Sequence, residues 1–228
     1  MKKPIRFFFS FRSPYSWIAF RELDARLGFD PGRIQYIPFW EPDPQSKRLL
    51  GERGGAFLYA PMSREKHLYI LQDIKRLVRK YGLKMAWPVD KEPWWELSHL
   101  GFFVAERAGK AREYLHAVYR ARWEEGADIS QPDTLLRVAG ALGLDGRKIL
   151  SAPMDEAIRD EGAEALNACV RDGVFGVPFF VHGYQKFWGL DRLEDFLATL
   201  ADAPAFPGRD PAPNRQAAAA VSTFSREA

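Results

Sequence analysis

The chain has 228 residues, of which 46% are hydrophobic and 28% are charged, and its formal net charge is +3. This composition is sufficient to bury one core and excludes a disordered chain. Because the 33 basic and 30 acidic residues are interspersed, the charge pattern gives no support for a nucleic-acid partner.

The start of the chain predicts a cytoplasmic protein rather than a secreted one. Two lysines precede an apolar run, but Arg12 and Ser13-Pro14 interrupt it and no small-residue cleavage site follows. No run of about 18 apolar residues occurs, so we expect no transmembrane helix and no membrane partner. A single cysteine, Cys169, excludes an internal disulfide framework and is compatible with a reducing compartment.

The first predicted elements are a strand, a helix and a second strand. Ile5 to Phe11 is a continuous aromatic and β-branched run, typical of a strand buried on both faces. Pro14 suits a first helical turn, where its missing N–H costs nothing, and Tyr15 to Leu27 continues the helix. Ile34 to Phe39 is the next strand, and its parallel return requires the helix as a crossover.

Helical periodicity dominates from about residue 63 to residue 172. In the first part of this stretch, apolar residues recur at three- and four-residue steps opposite basic ones. Further predicted helices cover Trp94 to Ala108, Lys110 to Glu125, Pro132 to Leu142, Arg147 to Leu150 and Pro153 to Arg171. We therefore expect an all-helical domain over residues 46–172.

The last predicted elements are a hairpin and a closing helix. Phe179 to Val181 and Lys186 to Trp188 predict two antiparallel strands around a His182-Gly183-Tyr184 turn. Leu190 to Leu200 predicts an amphipathic helix. From Ala203 the composition shifts to Pro and Ala without a period, so residues 203–228 are predicted to form a separate tail.

Two distant segments have the layout of a thiol site that lacks its cysteines. Ser13 and Ser16 lie three residues apart at a strand-to-helix turn, where redox proteins of similar layout carry Cys-x-x-Cys. Gly176-Val177-Pro178 precedes a buried strand, which is a typical position for a cis proline beside an active site. The two segments together indicate a site for a thiol that another molecule supplies.

Four segments in the same order resemble the 2-hydroxychromene-2-carboxylate isomerases and the related kappa-class glutathione transferases. They are Ser13-Pro14-Tyr15-Ser16-Trp17, Lys66-His67-Leu68-Tyr69 with Asp73, Gly176-Val177-Pro178 and Trp188-Gly189-Leu190-Asp191-Arg192. The resemblance implies an α/β fold, in which a thioredoxin-like domain of residues 1–45 and 173–202 carries the large all-helical domain between its second and third strands. It also implies glutathione in the cleft between the domains, an aromatic substrate and a homodimer.

The resemblance implies that Ser13 is the catalytic residue. Its hydroxyl would donate a hydrogen bond to the glutathione sulfur, and the N-terminus of the helix would further favour the thiolate. The alternative is an ordinary helix N-cap. No metal is required by either interpretation.

Five further residues are implied to bind glutathione, namely Val177, Pro178, Asp191, Arg192 and Lys66. Each also has a structural interpretation. Pro178 suits a strand-capping turn, Asp191 a helix cap, and Arg192 or Lys66 a solvated surface.

Four residues are predicted to line the pocket of the aromatic substrate, namely Tyr15, Phe57, Trp94 and Trp95. Phe57 stands where relatives commonly carry an asparagine, and Trp94-Trp95 where they often carry a small or polar residue. The tryptophans also suit simple packing of the helical domain.

The implied activity is a glutathione-dependent cis–trans isomerisation of an aromatic pyruvate or chromene-type substrate, through reversible addition of the thiolate. A glutathione transferase or another thiol-dependent enzyme on the same scaffold is the first alternative. Its thiol-disulfide form is weakened because neither Ser13 nor Ser16 can form a disulfide. The second alternative is a binding protein that has kept the fold without catalysis.

Overall fold

A four-stranded sheet brings the two predicted site segments to one edge. The computed structural model describes residues 5–58 and 62–201. Strand β1 (Ile5–Phe9) is parallel to β2 (Ile34–Pro38) and antiparallel to β3 (Phe179–His182), which pairs with β4 (Gln185–Trp188). The strand order is β2-β1-β3-β4. Because β3 is antiparallel to β1, it begins at the edge where β1 ends.

Strand β1 is the centre of the core, as its apolar run predicts. Phe7, Phe8 and Phe9 are fully buried, and the Phe7 ring stacks on Phe180 with centroids 5.0 Å apart. The predicted strand extends to Phe11, but the structure ends it at Phe9. A turn follows, closed by the Ser13 N–H, which donates to the Ser10 carbonyl at 3.1 Å.

Helix α1 spans Pro14–Leu27 and connects β1 to β2. Ser13 is its N-cap and Pro14 occupies its first turn, where proline loses no hydrogen bond. The helix ends at Gly28, whose φ of 68° is accessible to glycine at no steric cost.

The segment between β2 and β3 is helical, which confirms the predicted insertion. Its helices are α2 (Pro44–Glu52), α3 (Arg64–Lys80), α4 (Glu96–Arg107), α5 (Ala111–Tyr119), α6 (Pro132–Leu142), α7 (Gly146–Ser151) and α8 (Glu156–Asp172). A π-helical turn, Arg120–Glu124, extends α5, and a 3-10 turn, Ala152–Met154, precedes α8. Helix α2, which crosses the predicted boundary at residue 46, was missed because it is short and buries only Ser46 and Leu50.

Helix α9 (Leu193–Ala201) closes the fold on β3. The helix begins three residues later than the predicted start at Leu190, because Leu190–Arg192 forms a 3-10 turn. Phe196 of α9 stacks on Phe180 with centroids 4.7 Å apart. The tail predicted over residues 203–228 lies outside the described residues. Within the described ranges, no helix is long and apolar enough to cross a membrane.

A buried carboxylate joins the sheet half to the helical insertion. Asp24 of α1 accepts from Arg112 Nε at 2.9 Å and lies 2.7 Å from His116 Nε2, both on α5. Burial opposes its charge, but the hydrogen bonds from Arg112 and His116 lower the pKa of Asp24 overall. Phe9 and Phe102 also pack across the junction, with centroids 5.4 Å apart. The sheet half and the helical insertion are therefore fixed to each other.

Candidate active site

Ser13 faces the segment that leads into β3. Its Oγ accepts from the Ser16 N–H at 3.1 Å, which is the cap bond of α1, and donates to the Val177 carbonyl oxygen at 3.3 Å. The predicted catalytic serine is thus a helix cap and also touches the predicted binding segment. Its hydroxyl lies at the positive end of the α1 dipole, where negative charge is stabilised.

The peptide bond between Val177 and Pro178 is cis. The Pro178 carbonyl accepts from the Gly189 N–H at 2.9 Å, so the turn before α9 lies beside this segment. Asp191 and Arg192 follow in that turn, and both side chains are exposed, with their charged atoms 3.8 Å apart. The structure therefore places this pair next to the cis-proline segment, in contact with solvent.

Helix α3 is attached to the first turn of α1 through Tyr15. The Tyr15 hydroxyl donates to Asp73 Oδ2 at 2.8 Å, and burial together with the Asp73 charge raises the pKa of Tyr15. Lys66 lies seven residues before Asp73, about two helical turns along the same face, and is exposed. The face of α3 that carries Lys66 is therefore the face that meets α1.

Two of the predicted pocket residues have packing partners in the sheet and the insertion. Phe57 packs against Phe39, which follows β2, with ring centroids 5.1 Å apart. The Trp94 indole N–H donates at 3.1 Å to Asp43, the N-cap of α2. Trp94 therefore contacts the start of α2.

Trp95 is buried and connects the insertion to the residue before Ser13. Its ring lies between two guanidinium groups, with Arg12 at 4.4 Å and Arg122 at 5.1 Å from the ring centroid. Neither arginine was identified as a site residue from the sequence.

His99 holds the turn of residues 10–13, which we call the Ser13 turn. This fully buried side chain donates from Nδ1 to the Trp95 carbonyl at 2.8 Å. Because a carbonyl only accepts, Nε2 is unprotonated, and it accepts from the Phe11 N–H at 3.2 Å and lies 3.3 Å from Ser10 Oγ. Burial lowers the pKa of His99 to about 3, so the ring stays neutral.

Two further buried side chains bind the same turn from the insertion. The Tyr119 hydroxyl donates to the Ser10 carbonyl at 3.3 Å, and Trp123 Nε1 donates to the Phe11 carbonyl at 3.0 Å. They lie about 110 residues from the turn in sequence. No local pattern links them to it, which is why sequence reasoning missed them.

The profile of the DSBA-like thioredoxin domain family matches residues 4–201. The chain belongs to this family. Among curated relatives of this DSBA-like thioredoxin domain, the 2-hydroxychromene-2-carboxylate isomerase of Sphingobium xenophagum is 29% identical over 89% of the chain and 100% of the relative. The enzyme of the same name from Pseudomonas putida is 26% identical over 83% and 90%. A solved 2-hydroxychromene-2-carboxylate isomerase superposes with a TM-score of 0.69 at 23% identity, covering 88% of this chain and 95% of its own.

This DSBA-like thioredoxin domain has serines at both ends of the predicted Cys-x-x-Cys position. Its one cysteine, Cys169, is buried on α8, and burial raises the pKa of its thiol. A buried, neutral thiol is a poor nucleophile. Any thiol chemistry at the Ser13 turn therefore needs a thiol from outside the chain.

A cleft of about 400 Å³ lies elsewhere in this DSBA-like thioredoxin domain, along the β2 edge and against α4 and α8. Its cations are paired with carboxylates, Arg6 with Asp172 at 2.7 Å, Arg107 with Glu161 at 2.6 Å and Arg171 with Glu164 at 2.7 Å. Among the described residues, this wall therefore offers no unpaired cation to an anionic ligand. Among the described residues, no group of His, Cys, Asp and Glu side chains could hold a metal ion.

Proposed function

We propose that the chain is a glutathione-dependent cis–trans isomerase of an aromatic pyruvate or chromene-type substrate. One observation carries the proposal: the Ser13 hydroxyl lies at a helix N-terminus, 3.3 Å from the Val177 carbonyl, in a site without cysteine. The similarity to relatives named 2-hydroxychromene-2-carboxylate isomerase supports isomerisation as the reaction.

The backbone of Val177 suits an extended peptide such as glutathione. Within residues 5–58 and 62–201, its carbonyl accepts only the Ser13 hydroxyl and its N–H has no acceptor. Main-chain groups of this kind pair with an extended ligand as a strand edge does. Asp191, in the adjoining turn, offers a carboxylate for the ammonium of the γ-glutamyl end. When bound, glutathione supplies a thiol that adds reversibly to a conjugated carbon, which allows rotation about a former double bond.

Ser13 provides a hydroxyl proton, and the N-terminus of α1 provides a positive electrostatic potential beside it. Rotation of the hydroxyl redirects its proton from the Val177 carbonyl to a sulfur atom, while Oγ still accepts the Ser16 N–H. This hydrogen bond and the α1 dipole both lower a bound thiol's pKa below the ordinary value of about 8.5. The Ser13 turn thus holds more of the thiol in its nucleophilic form at neutral pH.

Lys66 supplies positive charge on the α3 face that meets α1. A cation there attracts the anionic groups of glutathione or of the substrate and so favours their binding. The bond from Tyr15 to Asp73 keeps this face of α3 against α1. Tyr15 therefore positions α3, and Lys66 contributes the positive charge.

The test combines glutathione binding with turnover of a chromene-type substrate followed by absorbance. We expect glutathione to raise the melting temperature at millimolar concentration, because a ligand selective for the folded state stabilises it. Ser13→Ala should lower kcat by about 100-fold or more, as the loss of one oriented donor does in other enzymes. Ser13→Thr, which retains a hydroxyl, should recover much of the activity.

Asp145→Ala is the matched control, since Asp145 caps α7 and lies on the surface. It removes a cap, as Ser13→Ala does, and kcat should be unchanged. Unaltered turnover in Ser13→Ala, or no thermal effect of glutathione, would contradict the proposal. Glutathione-dependent conversion of chlorodinitrobenzene without isomerisation would favour a transferase, and binding with neither activity would favour a non-catalytic protein.

A further inference from the structure

Arg12 has no assigned part in this chemistry, yet it directly precedes Ser13. Its guanidinium stacks on Trp95 at 4.4 Å, and Nη1 donates to Glu41 Oε2 at 3.3 Å. The Arg12 side chain is 32% exposed and that of Glu41 is 50% exposed. Contact with the ring restricts the guanidinium, and within residues 5–58 and 62–201 its one ion pair leaves most of its five N–H donors without an acceptor.

Arg122 also lies over the Trp95 ring, but its role is structural, in contrast to that of Arg12. Its two terminal nitrogens donate to both oxygens of Asp90 at 2.7 and 2.9 Å. Its side chain is only 4% exposed. Arg122 is therefore inaccessible and paired with one carboxylate through both terminal nitrogens, whereas Arg12 is partly exposed and forms one ion pair among the described residues.

The strand order places Arg12 on the opposite side of Ser13 from the cis-proline segment. In the order β2-β1-β3-β4, the end of β2 lies on one side of the Ser13 turn and the start of β3 on the other. Ser13 bonds to Val177 before β3, and Arg12 pairs with Glu41 after β2. When a peptide lies along Val177 with its sulfur at Ser13, the Arg12 side of Ser13 is therefore left for the substrate that the sulfur attacks.

We propose that Arg12 binds the carboxylate of the aromatic substrate, displacing Glu41 from its guanidinium. The name of the substrate class rests on the function proposed above. A planar guanidinium fork matches a carboxylate with two parallel hydrogen bonds, and the Trp95 ring holds the fork in place. Phe57, which is partly exposed and packs on the buried Phe39 that follows β2, offers apolar surface on the same side. Glutathione carries carboxylates too, but its place along Val177 is on the other side of Ser13.

The probes are phenylpyruvate and its methyl ester, titrated by calorimetry into the full chain with and without glutathione. Arg12→Gln should weaken phenylpyruvate binding by about tenfold or more, since a charged hydrogen-bonded pair is lost. Binding of the ester should change less than twofold. Glu41→Gln should strengthen phenylpyruvate binding several-fold, because it removes the competing carboxylate. Arg21→Gln is the matched control, as Arg21 is 41% exposed and forms one ion pair, with Glu124 at 3.1 Å, without a tryptophan.

Equal losses for acid and ester in Arg12→Gln, or weaker acid binding in Glu41→Gln, would overturn the proposal. So would a variant Arg12→Gln that loses affinity for glutathione but not for phenylpyruvate, which would assign the arginine to a glutathione carboxylate. Circular dichroism of each variant checks that the fold is retained, and Arg12→Lys, which keeps the charge without the fork, should give an intermediate loss. If wild type binds no glutathione, the isomerase function fails while the acid-versus-ester comparison still tests Arg12.

Discussion

The Ser13 turn and the residues predicted to bind glutathione lie at the same edge of the sheet but are built differently. The turn is held by buried side chains of the insertion, which satisfy its backbone groups at 3.0–3.3 Å. Lys66, Asp191 and Arg192 are exposed, and the ion pair of the last two is 3.8 Å long. One region is fixed before any ligand arrives, and the other is free to adapt.

The difference assigns two tasks to the two regions: the fixed region orients the reacting groups, and the exposed region captures the ligand. A group that stabilises charge at a reacting atom must be held in place beforehand, because reorganisation during the reaction costs catalytic free energy. Surface charges that attract and bind a ligand tolerate more freedom. Changes to the supports of the turn should therefore lower kcat, and changes to the exposed residues should raise KM.

Replacing His99 by alanine should have the largest effect on the fixed region. The change leaves the Phe11 N–H buried without its acceptor and opens a cavity, which together should lower the free energy of unfolding by about 2–4 kcal/mol. Because the Ser13 turn loses a support, kcat should fall at least about tenfold while the glutathione Kd stays nearly constant. Urea unfolding, calorimetry and steady-state kinetics measure the three quantities.

Two conservative variants distinguish the bond from His99 to the Ser13 turn from its bond to the Trp95 carbonyl at the start of α4. The terminal amide of His99→Gln reaches the position of Nε2 and can accept the Phe11 N–H. The shorter His99→Asn reaches the position of Nδ1 and can only restore the bond to the Trp95 carbonyl. We expect kcat to recover more in the glutamine variant, and equal recovery would show that His99 supports the fold without positioning the turn.

The neutral state of His99 predicts how stability depends on pH. An unfolded histidine has a pKa near 6.5, whereas burial lowers the folded pKa to about 3. Between these values the unfolded chain binds the extra proton, so the contribution is complete above about pH 6.5 and is lost as the pH falls towards 3. The loss approaches about 1.4 kcal/mol per pH unit. In urea titrations from pH 7 to pH 4, the free energy of unfolding of wild type should fall more steeply than that of His99→Gln, and parallel curves would refute a neutral buried imidazole.

Removing the Tyr15 hydroxyl tests the link between the fixed region and α3. Tyr15→Phe should lower the free energy of unfolding by about 1–2 kcal/mol, since Asp73 loses a hydrogen-bond donor. A double-mutant cycle with Asp73→Asn measures the coupling, and Tyr184→Phe, which changes a highly exposed tyrosine in the turn between β3 and β4, is the control. A coupling energy near zero would mean that α3 is held by its apolar contacts alone.

Local patterns explain why most of the fold could be predicted. The buried run of β1, Pro14 at the start of α1 and the predicted start and end of α6 at Pro132 and Leu142 each depend on neighbouring residues, and the structure contains them. Helix α2 was missed because it has only nine residues and buries only two of them. The strand end at Phe9 was missed because apolar character continues into the turn, where the Ser10 carbonyl is used by Ser13 rather than by a strand.

The site could be predicted only where its residues lie in short segments. Ser13 and Val177 belong to such segments, and the structure brings them together. His99, Tyr119 and Trp123 act through single contacts across long sequence separations, and a buried histidine in a helix has no distinguishing pattern. Arg12 directly precedes the segment that begins at Ser13, but its role depends on Trp95 and on strand order, which only the fold reveals.

Neutralising Lys66 should have the smallest effect and gives the sharpest test of the exposed region. Lys66→Gln should raise the KM for the carboxylate substrate or glutathione by about threefold to tenfold and leave kcat within twofold, because a solvated charge adds little to orientation. Lys75→Gln is the matched control, since Lys75 is exposed on the same helix nine residues away, about two and a half turns, and so lies on the opposite face. Added salt should reduce the difference between Lys66→Gln and wild type and leave Lys75→Gln unaffected. A loss of kcat comparable to that of His99→Ala would instead place Lys66 among the fixed groups, in contact with the reacting atoms, and would remove the distinction between orientation and capture at this edge of the sheet.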